Sequence, residues 1–317
     1  MRILVTPTSL QPESGSPALE LLKEYADEIV CNDKKRPLTE EELIPLLAGC
    51  DGYIAGLDQI TEKVINSTDR LKVISRYGAG YDRVDLKAAA EKGIIVTNTP
   101  GANAEAVGEL TWALILAAAR KIPYLHASTK DGGWERSSGL ELKGKTLGIM
   151  GLGAIGKVTA RCAAGFEMKV IAYDPYINEA YCEANGIRAA SFEEVLELSD
   201  VITLHLPLLE STRHLIDADA IGRMKKGVIL VNASRGGIID EDAAYEGLIS
   251  GRIGGMGLDA FETEPPVNSK LLQLNNVVAT PHTGAHTAEA AMNMAFMAVE
   301  NAVAVLSGKP CSYIVNR

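Results

Sequence analysis

The sequence predicts an α/β protein with two parallel sheets, and three observations support this fold class. Short β-branched runs alternate with helical stretches along nearly the whole chain, which is typical of parallel strands joined by helices. At 145–156 an apolar strand runs into a glycine-spaced turn and then a helix. With 317 residues, the chain is long enough for about two domains.

In the first third of the chain, five strands alternate with helices. The predicted strands are Ile3–Thr6, Glu28–Cys31, Gly52–Ala55, Val73–Ser75 and Ile94–Asn98. The predicted helices between them include Pro17–Tyr25, Thr39–Ala48 and Asp85–Glu91. The sequence Asn98-Thr99-Pro100-Gly101 then marks the best domain boundary, because Pro and Gly interrupt both helices and strands.

The remaining two thirds repeat the alternation after a long helix, Asn103–Arg120. The predicted strands are Thr146–Met150, Val170–Tyr173, Val201–Leu204, Val228–Asn232, Met256–Asp259 and Val277–Ala279. Helices are predicted at Ala154–Gly165 and, rich in alanine, at Ala288–Leu306. We expect a first domain at 1–98, a second at 99–287, and a C-terminal helix at 288–317 that returns to the first domain. The active-site cleft is expected between the domains.

The turn at 145–156, KTLGIMGLGAIG, has the glycine spacing of a loop that binds the pyrophosphate of a dinucleotide. Gly151 permits the tight turn, Gly153 lets the backbone approach the phosphates, and Gly156 lets the helix lie near its strand. The helix then directs its unpaired N–H groups at the phosphates. The glycine pattern alone is weak evidence, since an ordinary glycine-rich turn between a strand and a helix is the alternative.

A second strand strengthens this interpretation, because it ends at Asp174, about twenty residues after the glycines, where a ribose-binding acid is expected. A carboxylate accepts hydrogen bonds from both ribose hydroxyls and repels a 2′-phosphate, and the next residues, Pro175 and Tyr176, are not basic. The alternative is a solvated loop carboxylate. The sequence therefore predicts NAD rather than NADP, bound to Rossmann-like, doubly wound domains.

Composition excludes several classes of partner. The net charge of −10 argues against nucleic acid and against an anionic membrane surface, both of which require clustered Lys and Arg. The longest apolar run, Leu110–Ala119, is shorter than the roughly twenty residues of a membrane span. The five cysteines are odd in number and scattered, which is neither a disulfide framework nor a zinc site. We therefore expect a cytoplasmic protein.

Three polar side chains follow late strands of the second domain, where open α/β sheets bind ligands. They are Arg235, Glu264 and His282. A 2-keto acid requires these residue types: a guanidinium for its carboxylate and carbonyl, an imidazole to donate a proton, and a carboxylate to orient the imidazole. Each residue alone has an ordinary alternative, as a turn anchor, a loop cap or a half-buried histidine. Together, behind a dinucleotide site, they indicate redox chemistry.

The remaining histidines give weaker signals. His282 and His286 are spaced i, i+4, but Gly284 lies between them and the glutamate of a helical zinc motif is absent, so no metal is predicted. His205 is expected to be structural or to border the cofactor. No partners are visible in the sequence for His126 and His214.

Over nearly its full length, the chain resembles the D-2-hydroxyacid dehydrogenases of the phosphoglycerate dehydrogenase type. The segments that carry the resemblance are SRYGAGYDRVD at 75–85, NTPGANAEAVGELT at 98–111, GLGAIG at 151–156, ITLHLPLLESTRHLI at 202–216, VNASRGGIIDE at 231–241, LDAFETEPP at 258–266 and TPH at 280–282. So many motifs in this order are specific to the family, although not to one substrate.

The resemblance implies hydride transfer between NAD and the C2 atom of a D-2-hydroxy or 2-keto acid. Arg235 would bind the substrate, and His282 would contact it as the general acid, paired with Glu264. The implied cofactor contacts are Ala154 and Ile155 at the pyrophosphate, Leu206, Pro207, Ala233 and Ser234 along the site, and Asp259 at the nicotinamide carboxamide. The backbone N–H groups of the loop Arg76-Tyr77-Gly78-Ala79-Gly80 would bind the substrate carboxylate; a plain strand-to-helix turn is the competing interpretation.

The resemblance leaves the substrate open between 3-phosphoglycerate and a hydroxypyruvate- or glyoxylate-type acid. Arg76 and Arg136 match arginine positions of phosphoglycerate dehydrogenases, whereas 55–58 lacks their usual arginine and Asp58 adds a negative charge. The helix at 103–120 and the segment 121–142 resemble the family's dimerisation arm, so a homodimer is expected, and a role for Arg136 in the partner's cleft stays open. An NAD(H)-responsive, corepressor-type binding protein with little turnover is the alternative function.

Overall fold

The computed structural model describes all 317 residues and divides them into two compact units. Unit 1 consists of Met1–Asn103 and His286–Arg317, and unit 2 consists of Ala104–Ala285. Unit 1 contains a parallel five-stranded sheet and unit 2 a parallel seven-stranded sheet. The predicted fold class, Rossmann-like parallel sheets with interleaved helices, is confirmed.

Strands and helices alternate through both units. The strands are β1 (Arg2–Val5), β2 (Glu28–Cys31), β3 (Gly52–Ala55), β4 (Val73–Arg76), β5 (Ile95–Thr97), β6 (Thr146–Met150), β7 (Lys169–Tyr173), β8 (Ile187–Ala189), β9 (Val201–Leu204), β10 (Val228–Asn232), β11 (Ile253–Leu258) and β12 (Val277–Ala279). The helices are α1 (Pro17–Lys23), α2 (Glu40–Leu47), α3 (Glu62–Ser67), α4 (Leu86–Glu91), α5 (Ala104–Arg120), α6 (Ile122–Lys130), α7 (Ala154–Ala163), α8 (Glu179–Ala184), α9 (Phe192–Leu198), α10 (Ala218–Arg223), α11 (Glu241–Ile249) and α12 (Ala288–Leu306).

The sequence did not predict β8, and it placed the start of β11 three residues too late. β8 is a three-residue strand at the edge of the sheet, and Arg188 and Ala189 within it are exposed. It therefore lacks the buried apolar run by which strands are recognised. β11 begins with Ile253-Gly254-Gly255, and these glycines weaken the strand signal although the segment pairs with β10.

The strand order of unit 2 creates the position where a ligand can bind. The order is β12-β11-β10-β9-β6-β7-β8, so the chain runs outward from β6 to β8 and then returns to the other side of β6 with β9. This reversal between β6 and β9 opens a crevice at their carboxyl ends. The glycine-rich turn directly follows β6, and His205 directly follows β9. The fold thus brings the predicted dinucleotide loop to the crevice.

The long apolar helix α12 belongs to the core of unit 1. By length and composition α12 could cross a membrane, but buried core helices of globular proteins have the same length and composition. Its buried residues include Ala298, Val299 and Ala302, which cluster with residues of β1, β3 and β4. The carbonyl of Ala298 accepts a hydrogen bond from Ser75 Oγ at 2.8 Å. α12 is therefore placed as a helix that covers one face of the sheet.

Candidate NAD and keto-acid site

The glycine-rich turn after β6 contains Gly151, Gly153 and Gly156. Two of them, Gly151 and Gly156, have no room for a side chain. Gly151 has a φ of +97°, and a Cβ atom there would lie 2.6 Å from the carbonyl oxygen of His205. A Cβ on Gly156 would lie 2.1 Å from the carbonyl oxygen of Gly151, so this glycine lets α7 pack on the turn. A Cβ on Gly153 would meet nothing within 4 Å, so the space beside Gly153 is open.

The N-terminus of α7 has the properties of a phosphate-binding site. Gly153 is the N-cap, no side chain caps the first turn, and no acidic residue lies in it. The first N–H groups and the positive end of the helix dipole are therefore available to an anion. Ala154 and Ile155, predicted at the pyrophosphate, form this turn. The open space beside Gly153 and the uncapped helix fit the pyrophosphate of NAD.

The carboxylate of Asp174 is fixed to the same turn. Asp174 directly follows β7, and its Oδ2 accepts a hydrogen bond from the backbone N–H of Leu152 at 2.8 Å. Its Oδ1 accepts one from the N–H of Tyr176, also at 2.8 Å. Each oxygen keeps a further lone pair for a ribose hydroxyl. The two backbone bonds thus orient the acid relative to the glycine loop, as a ribose-binding carboxylate requires.

Asp259 anchors the loop that carries His282. Asp259 directly follows β11 and is 2% exposed. Its Oδ1 accepts hydrogen bonds from Thr280 Oγ1 at 2.6 Å and from the N–H of Thr283 at 2.8 Å, and its Oδ2 accepts one from the N–H of Gly284 at 2.8 Å. The loop after β12 is therefore held from both sides of His282. The predicted contact of Asp259 with the nicotinamide carboxamide stays a prediction.

His282 and Glu264, which are 18 residues apart in sequence, are in direct contact. Nδ1 of His282 lies 2.8 Å from Oε1 of Glu264, and both side chains are about one quarter exposed. The same Oε1 atom accepts a hydrogen bond from the backbone N–H of Phe261 at 3.3 Å. His282 has a φ of +50°, an uncommon conformation for a non-glycine residue. The structure thus forms an imidazole–carboxylate pair suited to proton transfer.

Arg235 lies in a loop that Asn232 holds. Asn232 is the last residue of β10 and is 1% exposed. Its Nδ2 donates to the carbonyl of Arg235 at 2.7 Å, while its Oδ1 accepts from the N–H and the hydroxyl of Ser234, at 3.0 and 2.8 Å. Asn232 was not among the residues predicted from the sequence, although a polar residue at the end of the apolar strand VILVN was a usable signal.

The loops of Arg235 and Glu264 touch through their backbones. A Cβ on Gly236 would lie 1.8 Å from the carbonyl oxygen of Phe261 and 2.6 Å from the backbone nitrogen of Glu262. Only glycine fits at this position, because any side chain would displace one of the two loops. The residue after Arg235 therefore packs against the segment that leads to Glu264.

The family model that matches this sequence is described as "D-isomer specific 2-hydroxyacid dehydrogenase, NAD binding domain", and the match covers residues 112–284. The chain belongs to this family. The predicted family and the prediction of NAD as cofactor are confirmed by the match. All the unit 2 residues described above lie inside the matched range.

Three known members illustrate the range of the family. The chain is 44% identical to the D-3-phosphoglycerate dehydrogenase of Methanocaldococcus jannaschii over 303 residues, which are 94% of this chain and 57% of that protein. It is 43% identical to the hydroxypyruvate reductase of Thermotoga maritima over 290 residues, 88% of this chain and 94% of that protein. The structure of the Aquifex aeolicus D-lactate dehydrogenase with NAD and lactic acid is similar with a TM-score of 0.85 at 29% identity, covering 99% of each chain.

The chain spans just over half the length of the curated phosphoglycerate dehydrogenases that it matches. It spans nearly the whole of the hydroxypyruvate reductase relative. These coverages establish the family for this chain, but not its own reaction or substrate.

Four further residues that the family resemblance predicts along the cofactor lie at the ends of neighbouring strands. Leu206 and Pro207 follow β9, and Ala233 and Ser234 follow β10, which pairs with β9. Leu206 and Ala233 are buried, and Leu206 Cδ2 lies 3.2 Å from the position of a Cβ on Gly151. These residues are thus at the same carboxyl edge of the sheet as the glycine loop. Their contact with NAD stays a prediction.

His205 connects α7, the helix that follows the glycine-rich turn, to β9. Its Nε2 lies 3.2 Å from the hydroxyls of both Thr159 on α7 and Thr203 on β9. Its Nδ1 is buried and has no hydrogen-bond partner. Burial lowers the pKa of His205 to about 3, because it disfavours the charged imidazolium. A neutral histidine therefore links α7 to β9, in agreement with the structural role expected for it.

The loop at 76–80 in unit 1 is held by the side chain of Arg76 and by hydrogen bonds to Ala55 and Thr99. The guanidinium of Arg76, which is 3% exposed, donates to the carbonyls of Ala55 at 3.0 Å and Gly80 at 3.3 Å. The N–H of Tyr77 donates to Ala55, and that of Gly78 donates to Thr99 Oγ1. The N–H groups that can still bind an anion are those of Ala79 and Gly80. The role of this loop toward the substrate stays a prediction.

Asp58 and Arg136, which bear on the choice of substrate, have different surroundings. Asp58 is 1% exposed and accepts hydrogen bonds from the N–H of Leu38 at 2.6 Å, the hydroxyl of Tyr53 at 2.8 Å and the hydroxyl of Thr6. Asp58 is therefore a buried carboxylate that three donors inside unit 1 hold in place, and its effect on substrate choice stays a prediction. Arg136 is exposed.

His214 has partners, which corrects the expectation from the sequence. Its Nε2 lies 3.1 Å from Glu262 Oε1, and its Nδ1 lies 4.0 Å from Asp240 Oδ2. The sequence could not indicate these contacts because the three residues lie on different segments. His286 is exposed and precedes α12, which begins at Ala288 with Thr287 as its N-cap. The structure contains no group of three or more His, Cys, Asp or Glu that could hold a metal ion.

Proposed function

We propose that this protein is an NAD-dependent oxidoreductase that interconverts a D-2-hydroxy acid and its 2-keto acid. The observation that carries the proposal is the 2.8 Å contact between His282 Nδ1 and Glu264 Oε1 in the unit that carries the NAD-binding loop. A dinucleotide site alone would fit many reactions, whereas an imidazole held by a carboxylate at this sheet edge supplies the proton that carbonyl reduction requires.

Each residue has a defined task in reduction. When bound, NADH supplies a hydride to C2 of the keto acid. His282 donates the proton from Nε2 to the oxygen that becomes the hydroxyl, and Glu264 stabilises the imidazolium through Nδ1. Arg235 binds the substrate carboxylate and carbonyl oxygen through its planar guanidinium and stabilises the developing negative charge. In oxidation, His282 accepts the proton from the hydroxyl group.

NAD is proposed to bind with its pyrophosphate at the N-terminus of α7, beside Gly153, and with its adenosine ribose on Asp174. The open space at Gly153 and the two backbone bonds to the carboxylate support this placement. The negative charge of Asp174 disfavours the 2′-phosphate of NADP. The nicotinamide carboxamide is assigned to Asp259.

For the substrate, two classes of acid are proposed: 3-phosphoglycerate and the smaller hydroxypyruvate or glyoxylate type. Relatives with about equal identity carry the names of D-3-phosphoglycerate dehydrogenase and hydroxypyruvate reductase. Because the carboxylate of Asp58 is buried and accepts three hydrogen bonds, its charge counts less against a phosphorylated substrate than the sequence alone suggests.

The experiment is a panel of initial rates with 3-phosphohydroxypyruvate, hydroxypyruvate, glyoxylate and pyruvate, followed by NADH absorbance. We expect NADH oxidation with at least one acid, and kcat/KM ranks the substrates. Glu264→Gln, which keeps the size of the side chain but removes its charge, should lower kcat. Tight NADH binding without turnover on any acid would instead support the NAD(H)-responsive binding protein.

A homodimer through the segment at 121–142 is also proposed. α6 has no buried residue, and Ile122 and Trp134 expose 52% and 80% of their surface. Contiguous exposed apolar surface marks protein–protein contacts, and we propose that these two side chains belong to such a surface. Light scattering should give twice the mass of the 33.8 kDa chain, and Ile122→Asp with Trp134→Ser should give the monomer. A dimer that persists in this double variant would place the interface elsewhere.

We propose the cytoplasm as the location, with no nucleic acid or membrane as a partner. All five cysteines are unpaired, which is usual for a reducing compartment. The net charge of −10 disfavours polyanions. Fractionation of cells with an antibody to the native protein would test the location.

A further inference from the structure

The segment that carries Glu264 is held to α11 by a reciprocal pair of hydrogen bonds. The backbone N–H of Glu262 donates to Glu241 Oε1 at 2.7 Å, and the N–H of Glu241 donates to Glu262 Oε1 at 3.1 Å. Each glutamate thus fixes the backbone of the other. Glu241 is the first residue of α11, so the segment from Phe261 to Glu264 is attached to a regular element at this point.

His214 contacts both loops of the candidate site. Its Nε2 lies 3.1 Å from the same Oε1 atom of Glu262 that receives the Glu241 N–H. Its backbone N–H donates to the carbonyl of Gly237 at 2.7 Å, and Gly237 is two residues after Arg235. His214 therefore contacts the loop of Arg235 through its backbone and the segment of Glu264 through its side chain.

The charges around His214 explain why an imidazole is suited to this position. Glu262, Glu241 and Asp240 bring three carboxylates together, and the ring of His214 lies against two of them. Burial raises the pKa of Glu241, the hydrogen bond from the Glu262 backbone lowers it, and the nearby carboxylates of Glu262 and Asp242 raise it again. A donor on His214 offsets this repulsion and holds Glu262 Oε1 in place.

A short series of contacts connects Glu262 to the proton donor. Phe261, the residue before Glu262, donates its N–H to Glu264 Oε1 at 3.3 Å, and this oxygen contacts His282 Nδ1 at 2.8 Å. The Phe261 carbonyl is also the group against which Gly236 packs. A displacement of the backbone at 261–262 therefore changes the position of Glu264 and of the loop of Arg235 together.

We infer that His214 is a positioning residue of the reaction: through Glu262 it fixes the Phe261–Glu264 segment and thereby the carboxylate that orients His282. The inference rests on the proposed function, since it assigns His214 an effect on the rate of keto-acid reduction. His214 acts on the proton donor through the backbone that joins Glu262 to Glu264.

The test compares His214→Gln and Glu262→Gln with a matched control, Asp242→Asn. Asp242 is a 90% exposed carboxylate in the same turn of α11, paired with Lys270 at 3.6 Å. We expect both variants to lower kcat by about tenfold to a hundredfold, the range for a slightly misplaced catalytic group, with the KM for NADH within about twofold. The control should keep its kcat.

Two further measurements separate positioning from a general loss of structure. Since the effect passes through Glu264, adding His214→Gln to Glu264→Gln should cause no further loss of kcat, as expected for coupled residues. The proton NMR signal of the His282 Nδ1–H group reports its contact with Glu264, and it should move or broaden in His214→Gln. An unchanged kcat with an unmoved signal, or additive losses in the double variant, would overturn the inference.

The inference and the proposed function fail in different ways. If the wild-type protein reduces no keto acid, the proposed function fails and the expected effect on kcat fails with it. The NMR signal of His282 then tests only whether His214 fixes the position of Glu264. If the wild type is active while His214→Gln is indistinguishable from it, only the inference fails. If His214→Gln does not fold, Glu262→Gln tests the inference instead, because it removes the carboxylate that His214 contacts.

Discussion

Nδ1 of His282 lies 2.8 Å from Oε1 of Glu264, and this contact determines which nitrogen of the imidazole exchanges a proton. An ionised carboxylate can only accept a hydrogen bond, so Nδ1 carries the hydrogen. Nε2 is then the atom that gains and loses a proton in the proposed reaction. Because Asp259 holds the backbone on the C-terminal side of His282, both the ring and its loop are oriented by carboxylates.

The first prediction concerns the loss of this imidazole. We expect His282→Ala to lower kcat for keto-acid reduction by about a hundred- to ten-thousand-fold, the usual cost of losing a general acid. NADH binding, measured by fluorescence, should stay near the wild-type value, because the NAD-binding loop lies on other strands. Near-normal turnover in the variant would show that another group donates the proton.

The second prediction uses Gly153, where the fold itself has room for a side chain. A Cβ there meets nothing within 4 Å, so Gly153→Ala should keep the wild-type melting temperature. The methyl group would, however, occupy the space that we assign to the pyrophosphate. We expect the Kd for NADH to rise by about tenfold or more, since the proposed role of this glycine is to let the backbone approach the phosphates closely.

Gly156→Ala is the matched contrast to that variant. Its Cβ would lie 2.1 Å from the carbonyl oxygen of Gly151, so this substitution should lower the melting temperature as well as weaken NADH binding. The two variants together distinguish a glycine that the fold requires, Gly156, from one that only the cofactor is proposed to require, Gly153. If Gly153→Ala binds NADH as tightly as the wild type, the pyrophosphate lies elsewhere.

The third prediction concerns the choice between NADH and NADPH. The fixed carboxylate of Asp174 should give a KM for NADPH well above that for NADH, because it repels the 2′-phosphate and loses its ribose bonds. Asp174→Ala should raise the KM for NADH and bring the two values closer. Equal values in the wild type would exclude the assigned role of Asp174.

The residues that the sequence indicated are those whose signal is local. The glycines at 151–156, the acid at the end of β7, and the positions of Arg235, Glu264 and His282 just after strands all follow from pattern and strand order. The contacts of His214 could not be predicted, because they depend on which side chains meet after the loops have packed. The same holds for Asp58, whose burial depends on donors from three separate segments. Asn232 differs, since its contacts are local and its polar position at the end of a strand was a usable signal.

The last prediction is a pH dependence of stability that comes from His205. Its pKa is about 3 in the folded protein, whereas an unperturbed histidine has a pKa of 6.5. Between these values the unfolded chain binds a proton that the folded chain does not bind. The free energy of unfolding therefore falls as the pH drops below about 6.5, by up to ~1.4 kcal/mol per pH unit, and does not depend on this group above it.

A comparison of the wild type with His205→Gln isolates this contribution from that of the carboxylates. Glutamine can still reach the hydroxyls of Thr159 and Thr203 but does not titrate. In urea unfolding at pH 7.5 and pH 5.0, the wild type should lose ~2 kcal/mol more than His205→Gln over the same interval. His286→Gln, at an exposed histidine, should behave like the wild type. Equal losses of unfolding free energy in the wild type and His205→Gln would mean that His205 is protonated in the folded protein at pH 5.0. The contacts of His205 with α7 and β9 would then tolerate a charged imidazole.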